Sequence, residues 1–162
     1  MSQIIKPPNP IPAAKSSFSV FLAGSIEMGT PQPWQALVEQ RLADLDITIL
    51  NPRRDEWDSS WLQSIDNPSF REQVEWELSA QEQATLISTY FDPSTRAPIT
   101  LLELGLFTHS GKLIVCCPEK YWRKGNVDVV CHRYGIEKMG SLDDLIEGIR
   151  RQYRFRSLTP RK

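Results

Sequence analysis

The sequence predicts a three-layer α/β/α fold, with one mainly parallel five-stranded sheet covered by helices on both faces. Short β-branched and aromatic runs alternate with longer amphipathic stretches, and no segment repeats another. Each run ends at a Gly, Pro or Asn-Pro break, so the alternation is punctuated rather than blurred. Strands separated by helices must run parallel, because each crossover has to carry the chain back along the sheet. Right-handed crossovers then favour the strand order 2-1-3-4-5.

The elements follow in order. "SFSVFLAGS" (17–25) is apolar and aromatic until Gly24 and reads as the first, buried strand. "PWQALVEQRLADLD" (33–46) opens with Pro and spaces Leu37, Val38, Leu42 and Leu45 at helical intervals. "ITIL" (47–50) is a second strand, stopped by "NPRRDEWD". Asn67-Pro68-Ser69 opens a helix running to about Gln83, with Phe70, Val74 and Leu78 on one face. "ATLISTYF" is a third strand, closed by "DPSTRAP". A helix from about Ile99 to Ser110 ends at Gly111, and "KLIVCCP" is a fourth strand. "DVVCHRYG" is read as a short fifth strand, and "SLDDLIEGIRRQY" as a last helix capped by Ser141. One domain is expected over residues 17–155, between a flexible Pro-rich lead-in (1–16) and a basic tail (156–162).

Composition excludes some functions. The hydrophobic fraction of 40% and charged fraction of 24% are those of a globular domain. A net charge of −1 offers no general grip on nucleic acid or an anionic membrane. No apolar run approaches the roughly 18 residues a bilayer span needs. Cys116, Cys117 and Cys131 fall in no C-x-x-C pattern, so no metal or cofactor is expected, and the chain reads as reduced and cytoplasmic.

Ligands of such sheets bind beyond the carboxyl ends of the strands, near the point where strand order reverses. That rim collects "GSIEMGTPQPW", "NPRRDEW", "DPSTRAP" and "PEKYWRKGN". The helix starting from it carries Glu103 in "LLELG", a carboxylate set against apolar surface about one turn in. Desolvation there would raise its pKa and suit it to nucleophilic or proton-transfer work. An acid stabilised by the helix dipole is the structural alternative. Asp92, at the end of the third strand, is either a second working acid or the turn former of Asp-Pro-Ser. Gly24 and Ser25 allow close approach of backbone to a ligand. Arg53 and Arg54 suit a phosphate bidentately, or else pair with Asp55 and Glu56. Trp57 is the favoured tryptophan for stacking on a base.

"FLAGSI" after the first strand, Asp92 after the third, and "LLELG" opening the next helix together resemble the nucleoside 2-deoxyribosyltransferase-like family. "LNPRRDEW", "EQVEWEL" and "EKYWRKGNV" are similar to stretches of its small 2-deoxyribosyltransferase-like branch. The resemblance runs from about Phe18 to Gly135. It implies a flavodoxin-like domain, a Glu nucleophile at Glu103, and cleavage of a nucleoside's N-glycosidic bond. Under that reading Asp92 positions the sugar or handles a proton, and the Gly24–Ser25 loop lies along it. Arg53, Asp55 and Trp57 are substrate-binding. Asn126 is similar to an Asn that reaches a neighbouring subunit's sugar, so a homo-oligomer binding a small nucleoside or nucleotide is expected. "STRAPIT" stands where a Gly-rich or acidic stretch is usual in the family, which leaves transfer and hydrolysis both open. A nucleotide-binding module without catalysis, or an interaction protein using the Trp-rich rim, are the competing classes.

Overall fold

The computed structural model describes residues 1–13, 18–25, 33–56 and 58–159. Six parallel strands form one sheet: β1 (Gln3–Ile5), β2 (Ser19–Gly24), β3 (Thr48–Leu50), β4 (Leu86–Tyr90), β5 (Leu113–Cys116) and β6 (Glu137–Met139). Their order is β1-β3-β2-β4-β5-β6. Between them lie α1 (Trp34–Arg41), α2 (Pro68–Gln83), α3 (Pro98–Phe107) and α4 (Lys124–Tyr134), and α5 (Leu142–Leu158) follows β6.

The strand pleat sorts the core into two layers. Phe21, Ala23, Leu50, Ile87 and Val115 point to the face covered by α2, α3 and α4, where Trp76, Ala80, Leu104, Val127 and Cys131 meet them. Val20, Leu22, Ile49, Leu86 and Ile114 point the other way, against Trp34, Val38 and Leu42 and against Leu145, Ile146 and Ile149 of α5. Helices therefore cover both faces, and β3-β2-β4-β5 reproduces the expected succession of the central strands.

Three details differ from the expectation. The amino-terminal lead-in supplies a sixth strand, with Gln3 opposite Thr48 and Ile5 opposite Leu50. The cause is a two-residue apolar run, Ile4-Ile5, whose second member packs on the core. "DVVCHRYG" is not a strand but the body of α4. Val127 and Cys131, four residues apart, are its buried side, and Gly135 ends it at φ +64°. The strand beyond it is Glu137–Met139, paired with β5. Finally, α5 runs through Leu158, beyond the "SLDDLIEGIRRQY" stretch read as the last helix.

The predicted helix starts are seen in atomic detail. Asn67 Oδ1 accepts from the Phe70 amide at 3.1 Å, with Pro68 in the first turn, and Ser141 Oγ accepts from the Asp144 amide at 3.1 Å. Among the described residues no helix is long and apolar enough to cross a membrane.

Candidate functional site

Strand order reverses between β2 and β4: from β2 the chain moves outward to β3, then returns to β4 on the opposite side. The loops leaving these two strands are stitched together. Thr95 Oγ1 donates to Ser25 Oγ at 2.6 Å, and the Asp92 amide donates to the same Ser25 Oγ at 3.4 Å. Asp92 Oδ1 accepts from the Ser94 amide (2.9 Å) and hydroxyl (2.7 Å), so one carboxylate oxygen is committed to the turn. Gly24 is required by packing. A Cβ there would lie 2.3 Å from Cζ2 of the buried Trp34 and 2.7 Å from the Tyr90 carbonyl oxygen. The Trp34 indole N–H donates to the Ser25 carbonyl at 3.2 Å and so supports the loop from below.

The turn that launches α3 leaves the same end of β4. Ala97 sits at φ 49°, ψ 53°, a left-handed conformation rare for a residue with a Cβ, and Pro98 follows at the first helical position. The carbonyl of Arg96 is held by the Tyr121 hydroxyl at 2.6 Å and by the Trp122 indole N–H at 3.0 Å. Over-determined anchors of this kind allow a strained residue to persist.

Inside α3, Thr100, Glu103 and Leu104 face inward while Ile99, Leu102 and Leu106 face outward. Glu103 is thus a buried acid, 9% exposed. Gln81 Nε2 of α2 donates to its Oε2, and its Oε1 has no hydrogen-bond partner among the described residues. Burial, and then the neighbouring charge of Glu77, push Glu103 up to about 8 against the opposing effect of the Gln81 hydrogen bond. Burial likewise pushes Glu77 up to about 7, opposed by a hydrogen bond from Gln73 at 2.7 Å. The two acids form an interacting pair, so their titrations belong to the pair rather than to either residue.

The expected site residues therefore fall into groups. Gly24, Ser25 and Asp92 meet at the switch point. Arg53 is exposed, with its backbone amide donating to Asn51 Oδ1 at 2.9 Å. Asp55 pairs with Lys6 at 2.9 Å, and Arg54 with Glu72 at 3.2 Å and with the ring of Trp61, rather than with Asp55 or Glu56. Lys6, Asn9, Arg54 and Asp55 line a groove of about 360 Å³ in which Glu103 has no part. Asn126 is exposed on the first turn of α4. Trp57 lies outside the described residues.

Sequence reasoning missed Glu77, Gln73 and Gln81. The apolar residues Phe70, Val74 and Leu78 suggested the inward face of α2, yet Gln73, Trp76, Ala80 and Gln81 are the buried ones. The available signal was the polar spacing Gln73, Glu77, Gln81, a single stripe at intervals of four beside Trp76 and Ala80.

A parallel sheet with helices on both faces, its polar loops joined at the switch point and a buried acid on the helix leaving it, defines the doubly wound class of α/β domain. The chain belongs to the family described as nucleoside 2-deoxyribosyltransferase like, which it matches over residues 17–121. The fold is similar to that of the crystal structure of a conserved protein from Enterococcus faecalis. That likeness has a TM-score of 0.60 at 12% identity and covers 85% of this chain and 99% of the other. No curated protein matches the chain.

Proposed function

We propose that this protein cleaves the N-glycosidic bond of a (deoxy)nucleoside or nucleotide through a covalent glycosyl ester on Glu103, passing the sugar to another base or to water. The observation that carries this reading is the buried Glu103, with one oxygen held by Gln81 and the other without a hydrogen-bond partner among the described residues. In the first step Glu103 Oε1 attacks C1′ as the C–N bond breaks, and the bonding pair leaves with the base nitrogen. A departing base needs a proton. In the reactive form of the pair Glu103 is ionised and Glu77 carries the proton, and we assign Glu77 to deliver it to the departing base nitrogen. In the second step a base nitrogen or a water deprotonated by Glu77 attacks C1′, frees the Glu103 carboxylate and retains the anomeric configuration.

The remaining roles are those the family resemblance implies. Asp92 keeps one oxygen for a sugar hydroxyl, and Ser25 with the backbone beyond Gly24 lies along the sugar. Arg53, Asp55 and Trp57 belong to the base or phosphate end, and Asn126 to a neighbouring subunit's sugar. The family membership supports a transferase-like reading, and the acid pair supports a nucleophile with an acid.

The test is release of free base from a panel of nucleosides and nucleotides, followed by chromatography. The wild type should release base from at least one, and a 2-fluoro-substituted nucleoside should leave a glycosyl adduct on Glu103 by mass spectrometry. Glu103→Gln keeps the shape and removes the attacking charge, so base release should fall by about 10³-fold or more. Near-normal release by Glu103→Gln would leave a binding module or a different nucleophile in place of this reading.

A further inference from the structure

We infer that Gln81 is a positioning residue for Glu103, orienting the carboxylate so that Oε1 alone faces the substrate; this rests on the reading of Glu103 as nucleophile. Gln81 is fully buried in α2, and both N–H bonds of its amide are used. One goes to the Glu77 carbonyl at 3.2 Å and the other to Glu103 Oε2. The Glu77 carbonyl can only accept, so the amide nitrogen must face it and the side chain has one allowed orientation. That orientation leaves Gln81 Oε1 buried with no hydrogen-bond partner. A core side chain that orphans its oxygen works against folding, and a leucine or methionine of similar volume would not. The amide N–H₂ must therefore do something an apolar side chain cannot.

Gln73 repeats the device one pair of turns earlier. Its Nε2 donates to the Pro52 carbonyl at 2.9 Å and to Glu77 Oε1 at 2.7 Å, and its Oε1 is likewise buried and orphaned. Each acid is thus held by a glutamine that is itself fixed by a backbone carbonyl. A neutral donor matters here. Lys or Arg would lock both acids ionised and neutralise the attacking oxygen, whereas an amide fixes direction and leaves the charge in place. The charged groups around this contact are few: Glu77 on α2, and Lys112 before β5, whose Nζ donates to the Gln81 and Glu82 carbonyls on the backbone side. α3 itself carries no titratable residue but Glu103.

Gln81→Met removes the donor at nearly constant length. In the full chain labelled with side-chain ¹³C glutamate, with Glu103 assigned by its loss in Glu103→Gln, the carboxyl signal is titrated in wild type and variant. Loss of a hydrogen bond to the charged form should move the Glu103 midpoint upward. With the nucleoside that the wild type cleaves fastest, kcat should fall by about tenfold to a hundredfold, with KM little changed. The acidic limb of the kcat profile should move up by the same interval as the titration. If Gln81→Met does not fold, Gln81→Glu keeps the shape, replaces the donor by a third acid, and should raise the Glu103 midpoint further. An unmoved Glu103 titration in a folded variant overturns the inference, as does a moved titration with unchanged kcat and pH limb. Failure of the nucleophile itself has a different signature: Glu103→Gln would stay active while the Gln81→Met titration still moved.

Discussion

Glu103 and Glu77 are buried acids that work against the fold, which is what the proposed reaction would require of them. Burial raises both carboxyls above their ordinary value of 4.5, and the charge of Glu77 raises Glu103 further. Between about 4.5 and about 8 the folded chain therefore holds protons that the unfolded chain releases, and stability falls as pH rises through that window. Each unit of displacement corresponds to about 1.4 kcal/mol, shared across the pair. Glu103→Gln should accordingly be more stable than the wild type by about 1–3 kcal/mol at pH 8, and closer to it at pH 5. Melting temperatures at the two pH values check this; an equal offset at both would show that Glu103 does not titrate within the window. A variant at once more stable and less active is the usual mark of a functional residue working against its environment.

At the scale of elements, the start of α3 sets the direction in which Glu103 points. Its carbonyl anchor at Arg96 depends on two donors, the Tyr121 hydroxyl and the Trp122 indole. Tyr121→Phe keeps the ring packed on Phe91, whose centroid lies 4.8 Å away, but removes the shorter of the two bonds. A loss of about 1 kcal/mol is expected, with faster amide exchange over residues 101–104, whose N–H groups make the first helical hydrogen bonds. Unchanged exchange there would mean that Trp122 alone suffices. Helix starts such as Asn67-Pro68 and Ser141 were legible in the sequence because a cap is a local pattern of two to four residues. The fate of "DVVCHRYG" was not, because the adjacent β-branched Val129 and Val130 favour a strand until tertiary packing of Val127 and Cys131 decides for a helix. β1 was hidden for a related reason. A three-residue strand has no period of its own, and only its pairing with Thr48–Leu50 makes it one. Glu103 stood out as an acid among leucines; Glu77 did not, since α2 carries acids on several sides and only the fold shows which one turns inward.

For the whole molecule, the two helices beside the site bury polar side chains together with Trp76, Ala80 and Leu104 and leave other apolar side chains outside. α2 turns Gln73 and Gln81 inward and leaves Phe70, Val74 and Leu78 partly or largely exposed. α3 turns Thr100 and Glu103 inward and leaves Ile99, Leu102 and Leu106 at 58%, 59% and 55% exposure. The Gln81–Glu103 hydrogen bond places these helices side by side, so their apolar residues lie on adjacent helices on the outside of the site. A monomer would leave this surface in water, where burying each leucine is worth about 1.5–3 kcal/mol. Trp76 contributes nothing to it, being buried in its own core, and Phe107 is half-buried against the same cluster. A second copy covering α2 and α3 would bury the apolar set and bring a neighbour close to the rim. We therefore expect a homodimer or larger assembly by sedimentation or light scattering at micromolar concentration. Leu102→Glu with Leu106→Glu, both outside the acid pair, should shift it to monomer without unfolding it. A wild type that sediments as a monomer would remove the reason for the exposed leucines and leave Asn126 without a neighbour to reach. Dissociation of the double variant with full retention of base release would show instead that each chain carries a complete site.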